Sequence, residues 1–376
     1  MELFFYCTAA LCCYSYFLYP LVLKLLPRRT HAVATRDGEL PRLSLIVTVH
    51  NEAGRIRAKI ENTLAIDYPP DRLEIMVASD GSTDATEDIV GEFAARGVRL
   101  VRADQRNGKE YAQLCAIRIA SGDILVFSDV ATRIPADALR MLAGEFADER
   151  VGAVSSEDRF ISQDGSVAGE GAYVKYEMWL RRLESDRAGL VGLSGSFFAA
   201  RREVCEEWDT MSPSDFNTAL NCARMGLVAV SCPAVVGIYA DVKDPSLEYQ
   251  RKVRTVVRGM TALARHPIAL DPLRMGMFAF QVWSHKVMRW GVPWFMLALL
   301  IVTLLLMEQG LVYRVALSLQ AGFYLLALVG WLSARLRKNA VVRIVFFFVQ
   351  TNIALAQAAV LFLSGTRMTT WNPSRR

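Results

Sequence analysis

Residues 73–84 read LEIMVASDGSTD, and residues 124–133 read ILVFSDVATR. Each is a short apolar run that stops at Ser-Asp, the pattern of a buried strand delivering a carboxylate to its carboxyl end. Working outward, the form recurs at 43–52, LSLIVTVHNE, and more weakly from Val98 to Val101. Helical patterns follow these runs, through about Leu64, from Ala85 to Arg96 and over 109–120. Strand, polar loop and helix in alternation predict an α/β fold with a doubly wound, mostly parallel sheet. Ligands of such sheets sit beyond the carboxyl ends of the strands, where these polar clusters fall.

The flanks follow different rules. From Leu3 to Leu26 there is no charge until Lys24, long enough to cross an apolar core of about 30 Å at about 1.5 Å per residue. Pro27, Arg28 and Arg29 come next, so a retained anchor with the following domain in the cytoplasm is expected. A cleavable signal peptide is the rival, but no small-residue cleavage site follows the apolar run. Beyond residue 245, Leu247–His266 mixes charged and apolar residues as a membrane-surface helix does. Trp283, His285, Lys286, Arg289, Trp290 and Trp294 read as an interfacial girdle. Three apolar blocks remain, Trp290–Met307, Leu311–Ala334 and Ala340–Leu363. Arg335, Arg337 and Lys338 mark a cytoplasmic loop, yet a third crossing places Arg367, Arg375 and Arg376 outside, so either the charge rule fails or one block is re-entrant or interfacial. The expected organisation is an anchor at 1–27, a cytosolic catalytic domain at 28–245, interfacial helices at 246–290 and membrane helices with a short tail at 291–376. The chain is expected to be an integral protein of a bacterial inner or cell membrane.

Composition supports two phases in one chain: 53% of its 376 residues are hydrophobic, and the excess lies at the two ends. The net charge of +5 does not point to nucleic acid, because the basic residues flank apolar blocks, where headgroups and topology account for them. The seven cysteines show no CxxC spacing and read as reduced structural thiols. No HxxxH, GxSxG or Walker-type spacing offers another mechanism, and His50, His266 and His285 read as local hydrogen-bonding or interfacial residues.

Four polar features fall where a sheet would present them. Glu52 follows the first strand; Asp80 and Asp84 follow the second. Lys109 in RNGKE precedes a helix, where a cation and free helix amides would hold a diphosphate. Asp129 ends the buried run LVFSD. One acidic loop residue is ordinarily a cap or a solvated side chain. Four polar features at successive strand ends point to a site.

HNEAGRI, ASDGSTD, NGKEYA and FSDVATR, in this order over about residues 43–260, resemble the inverting family 2 glycosyltransferases, and among them membrane polysaccharide synthases such as cellulose and hyaluronan synthases. The resemblance implies a GT-A type doubly wound mixed sheet and a nucleoside-diphosphate sugar donor, usually a UDP-sugar, bound with Mg²⁺ or Mn²⁺. Carried over by residue, it implies that Thr48, Glu52 and Asp80 hold the nucleoside and Lys109 the diphosphate. Asp129 matches the first Asp of a DxD motif and would be the metal ligand, with Ala131 in place of the second Asp. GLSGSFFAARR at 192–202 resembles the acceptor cradle, which makes Ser194 and Gly195 acceptor residues. Asp215 in SPSDF matches the final Asp of a TED or EDD-type motif, with Ser214 replacing the usual acidic neighbour. Inversion needs a base to take the acceptor proton, and Asp215 is its candidate; a helix N-cap is its ordinary alternative. Arg251-Lys252-Val253-Arg254-Thr255 resembles (Q/R)xxRW, so Arg254 would contact the diphosphate and Thr255 stands where Trp is usual. A basic membrane-surface helix is the alternative there.

The expected function is a membrane-bound hexosyltransferase extending a polysaccharide. Single addition to a polyprenyl-linked sugar or lipid is one alternative, and a catalytically silent subunit of a synthase complex is another. The bilayer and a homo-oligomer or synthase complex are the expected partners.

Overall fold

The computed structural model describes residues 1–29, 39–161, 172–240 and 245–368. It opens with α1 (Glu2–Cys13) and α2 (Tyr19–Leu25), continuous through a π-helical turn at Tyr14–Leu18. The α/β domain follows as β1 (Leu43–Val49), α3 (Ile56–Leu64), β2 (Leu73–Ser79), α4 (Thr86–Gly91), β3 (Val98–Arg102), α5 (Lys109–Ile117), β4 (Ile124–Asp129), α6 (Ala138–Glu145), β5 (Val151–Ile161), α7 (Ala172–Arg187), β6 (Phe197–Arg201), α8 (Ser214–Arg224) and β7 (Val228–Ala240). The chain continues as α9 (Pro245–Arg265), α10 (Pro272–Gln281), α11 (Met288–Leu306), α12 (Leu311–Leu332) and α13 (Ala340–Leu363).

The strands form one mixed sheet in the order β3-β2-β1-β4-β6-β5-β7, and only β6 runs against its neighbours. Every residue of β1 is buried, as a central parallel strand covered on both faces requires. On one side Ile46, Met76, Leu125 and Phe198 pack with Phe127, whose ring stacks on Trp208 at 5.0 Å. On the other, Leu45, Val126 and Phe197 pack against Leu139 and Leu142 of α6. The connections reverse direction between β1 and β4, which opens a crevice at their carboxyl ends. The register sets Thr48 beside Asp129 and Val49 beside Ser79, so the polar ends of three strands lie at one level. Gly122 makes the tight entry to β4 possible: a β-carbon there would lie 2.5 Å from the Ser44 amide nitrogen.

Among the described residues, four helices are long and apolar enough to cross a membrane: Glu2–Leu25, Pro272–Leu306, Leu311–Leu332 and Ala340–Leu363. The second differs from the expected block at Trp290–Met307. Asp271 caps it by accepting from the amides of Leu273 and Arg274, and the helix runs on through a π turn at Val282–Val287. The predicted girdle is therefore divided. Trp283 and Trp294 are exposed, whereas Arg289 is buried. His285 is held by Glu184 at 2.7 Å and Arg289 by Glu177 at 2.5 Å, both on α7. Buried acids on α7, invisible in the local sequence pattern, turn these cations inward. The amphipathic α9 packs on α13. Arg367 caps the end of α13 through the Phe362 carbonyl; Arg375 and Arg376 lie outside the described residues.

Candidate active site

The residues expected to hold a donor lie at the ends of β1, β2 and β4. Asp80 is fully enclosed, and its carboxylate accepts from the Asn107 amide at 2.9 Å and the Gly108 amide at 2.9 and 3.1 Å. It positions the loop that launches α5. The clamp holds Gly108 at φ 94°, a left-handed conformation suited to glycine, and sets Lys109 at the first position of α5. Lys109 Nζ donates to Asp129 Oδ1 at 2.5 Å and to the Gly195 carbonyl at 2.6 Å. Glu52 is buried and holds Arg55 through both carboxylate oxygens, at 2.7 and 2.6 Å. Thr48 is buried and its hydroxyl finds no partner among the described residues.

A second cation, missed in the sequence, lies under Asp129. Lys59 of α3 donates to Ser128 Oγ and to the Thr132 carbonyl, each at 2.7 Å. Burial pushes its ammonium down to about 7, against the opposing pull of Asp129. Its place inside an otherwise ordinary helical pattern, IRAKIENTL, gives no signal of this role.

The opposite wall of the crevice comes from the segment before β6, which carries the residues expected to meet an acceptor. Ser194 is buried; its amide donates to Ser155 Oγ at 2.7 Å and its hydroxyl to Asp158 Oδ1 at 2.6 Å. Asp158, on β5, also accepts from the Tyr239 hydroxyl at 3.1 Å. The Ser196 carbonyl receives the Asp129 amide at 3.0 Å and the Thr132 hydroxyl at 3.1 Å, which ties this segment to the end of β4. Ser194 therefore braces this segment against β5. Asp215 stands in the first turn of α8, where the helix amides favour negative charge. It is not the N-cap, which is Pro213. A β-carbon at Gly195 would lie 3.7 Å from Asp215 Oδ2. Asp215 and Lys109 thus meet the same glycine, one facing its side-chain position and the other its carbonyl.

The loop leading to Asp215 is anchored by Asp209, which accepts from Ser212 Oγ at 2.7 Å and the Met211 amide at 2.9 Å. Arg265 and His266, at the end of α9, reach the same carboxylate at 3.2 and 2.8 Å. Burial raises the Asp209 carboxyl, but these donors outweigh it and hold the group well below the usual carboxylate range. On α9, Arg254 is half-buried, and burial together with Arg258 and Arg251 lowers it from the usual guanidinium range. Arg258, one turn further along α9, donates to Glu110 beside Lys109 at 2.6 Å.

The donor set at Asp129 is thin for a protein-built metal site. One oxygen is engaged by Lys109, Ala131 supplies none, and among the described residues no group of three His, Cys, Asp or Glu side chains converges. The arrangement fits only a divalent cation that takes most of its oxygen shell from a bound diphosphate and water, with Asp129 as its protein carboxylate.

Residues 44–209 match the model of the family described as Glycosyl transferase family 2. Among curated proteins, the chain is 29% identical over 183 residues to the probable glycosyltransferase YdaM of Bacillus subtilis, covering 46% of this chain and 44% of that protein. It is 25% identical over 197 residues to a β-monoglucosyldiacylglycerol synthase of Nostoc, covering 50% and 42%. It is also 25% identical over 186 residues to a poly-β-1,6-N-acetyl-D-glucosamine synthase of Staphylococcus epidermidis, covering 47% and 44%. The chain thus spans less than half the length of these relatives. Among solved structures, a mannosyltransferase from Pyrobaculum calidifontis in complex with GDP-Man and Mn²⁺ superposes with a TM-score of 0.73 at 24% identity, over 97% of this chain and 99% of that one. That likeness establishes the GT-A fold with its flanking helices.

Proposed function

Because residues 44–209 are a family 2 glycosyltransferase domain, we propose that the whole chain is a membrane-bound inverting transferase that moves a sugar from a nucleoside-diphosphate donor to an acceptor hydroxyl presented at the membrane face. The observation that carries this reading is the meeting of Lys109 and Asp215 at Gly195. The donor lies along the ends of β1, β2 and β4, its diphosphate against Lys109 and the first turn of α5, with Arg254 closing from α9. The acceptor hydroxyl enters beside Gly195. Asp215 takes its proton as the acceptor oxygen forms a bond to the anomeric carbon and the bond from that carbon to the diphosphate oxygen breaks on the opposite face. Lys109 stabilises the charge that develops on the departing diphosphate, in a cleft where such a contact counts for more than in water. Mg²⁺ or Mn²⁺, held by Asp129 and the diphosphate, would add to that neutralisation.

Of the two acceptor classes, we favour a lipid-borne acceptor that receives one sugar over a growing polysaccharide. Helices α11, α12 and α13 pack on one another, with α1 against α11, an arrangement that suits an anchor better than a ring around a polymer. Thr255, in place of the usual Trp, agrees with short products. The poly-N-acetylglucosamine synthase likeness supports the polymer reading, and the glucosyldiacylglycerol synthase likeness supports the lipid one.

The test is release of nucleoside diphosphate from a panel of UDP- and GDP-sugars by the purified full chain in lipid, with Asp215→Asn as control. The variant is expected to lose about 10²–10⁴ in turnover. No release from any donor with lipid or glycan acceptors would support a nucleotide-binding subunit without transfer activity. Products that lengthen without release would reject the single-addition reading.

A further inference from the structure

A second charged residue occupies the first turn of α5. Glu110 follows Lys109 directly, and its side chain is almost fully enclosed. Its main-chain carbonyl accepts from the Trp208 indole at 3.0 Å, and Trp208 stacks on Phe127 of β4. A carboxylate at a helix start is ordinarily favourable, because the free amides attract negative charge. Here those amides and Lys109 are the groups assigned to the donor's diphosphate, so a bare carboxylate one residue away would compete with the ligand for them.

Arg258 of α9 meets that charge. Its guanidinium donates to Glu110 Oε1 at 2.6 Å, with only 12% of the Arg258 side chain and 3% of the Glu110 side chain exposed. Among the described residues this is the one ion pair that Glu110 makes, and its Oε2 finds no partner. Seven residues on, along the same face of α9, Arg265 reaches Asp209, the residue after Trp208. The neighbouring face of α9 meets the membrane helices. Val253 and Val257 pack with Ala354 and Ala358 of α13, and the Tyr249 hydroxyl donates to Gln357 Oε1 at 2.7 Å. Seated on a helix long and apolar enough to cross a membrane, α9 thus brings its cation to the first turn of α5. Removing one partner of such a buried pair strands the other, whereas removing both leaves no charge to satisfy.

We propose that Arg258 is a positioning residue for the donor: it neutralises Glu110 from the membrane-seated α9 and so leaves Lys109 and the first turn of α5 available to a diphosphate. This rests on the donor site proposed above, and the experiment separates the two claims.

Titration calorimetry of the full chain in lipid measures binding of UDP, GDP and inorganic pyrophosphate, with uridine and guanosine as phosphate-free probes. Arg258→Gln is expected to weaken nucleoside-diphosphate and pyrophosphate binding about tenfold or more, with nucleoside binding unchanged. Combining Arg258→Gln with Glu110→Gln recovers most of that loss, and Arg258→Lys keeps part of the wild-type affinity. Glu110→Gln alone leaves the cation in place and binds pyrophosphate at least as tightly as the wild type. That variant serves should Arg258→Gln not fold, and weaker binding by it overturns the proposal. A loss in Arg258→Gln that the double variant does not recover, or that falls equally on the nucleosides, assigns Arg258 to packing and overturns the proposal as well. Affinities that follow the expected pattern without sugar transfer support Arg258 while the proposed function fails. Transfer by the wild type with equal diphosphate affinities in all the variants overturns the proposal and leaves that function standing.

Discussion

Asp215 Oδ2 lies 3.7 Å from the position a β-carbon on Gly195 would occupy. That distance is ordinary van der Waals contact, so Gly195→Ala is compatible with the fold while placing a methyl where the proposed function brings in the acceptor oxygen. The expected result is a fall of about 10²-fold in kcat/KM for the acceptor, with donor binding and thermal stability unchanged. Steady-state kinetics with calorimetric nucleotide binding checks it. Weakened nucleotide binding would move Gly195 from the acceptor side to the donor side.

Lys109 bridges Asp129 and the Gly195 carbonyl. Lys109→Met removes a charged donor from the diphosphate site and leaves Asp129 without that partner. Nucleoside-diphosphate affinity is expected to drop by about 10-fold or more, the scale of one charge-assisted hydrogen bond. Titration calorimetry reads this directly. Equal affinity in the variant would take Lys109 out of donor binding.

With Ala131 beside it, Asp129 is the one carboxylate that the proposed function assigns to a cation among the described residues. Ala131→Asp supplies a second at the end of β4 and is expected to lower the half-saturating Mn²⁺ concentration, on the order of tenfold. Turnover measured against free Mn²⁺ at fixed donor tests it. No change would place the cation, if one is used, away from residue 131.

Asp209 holds the loop before Asp215 to the end of α9. Its carboxyl is depressed in the folded state, so its contribution is present above the unfolded value of about 4 and is lost as pH falls below that toward the folded value. Asp209→Asn is therefore expected to unfold at lower temperature than the wild type at pH 7, by about 1–3 kcal/mol of stability. The two proteins should converge as pH is lowered below about 4. Thermal unfolding of both across this range checks the sign; a difference that grows with acid would contradict it.

Strands β1, β2 and β4 were legible because β-branched runs ending in a carboxylate carry their own punctuation. Asp129, Lys109 and Asp215 stand out in the sequence because each lies at a strand end or a helix start, and the structure brings them together around Gly195. What the sequence hid is set by contacts distant in the chain. Asp80 stands out in SDGSTD, but its hold on Asn107 and Gly108 depends on a loop 27 residues away. Lys59 lies in a helix of unremarkable pattern. His285 and Arg289 have the composition of a membrane girdle, and Glu184 and Glu177, about 100 residues earlier, turn them inward. Asp158 had one signal, the acidic pair Glu157-Asp158 at the end of an apolar run, but its partner Ser194 lies 36 residues on.

Strand order also sets a timetable for synthesis. The neighbours β3, β2, β1 and β4 are complete once residue 129 has emerged, and their pairings close through short crossovers. β5 must wait for β7, which ends at Ala240, and β6 is inserted between β4 and β5. Pairings of long sequence separation form late, and chains made N-terminus first assemble in that order. Under the function proposed above, a nascent chain therefore forms the crevice assigned to the donor well before the segments assigned to the acceptor, and α9 with Arg254 follows both. Such a chain can hold donor before it can spend it.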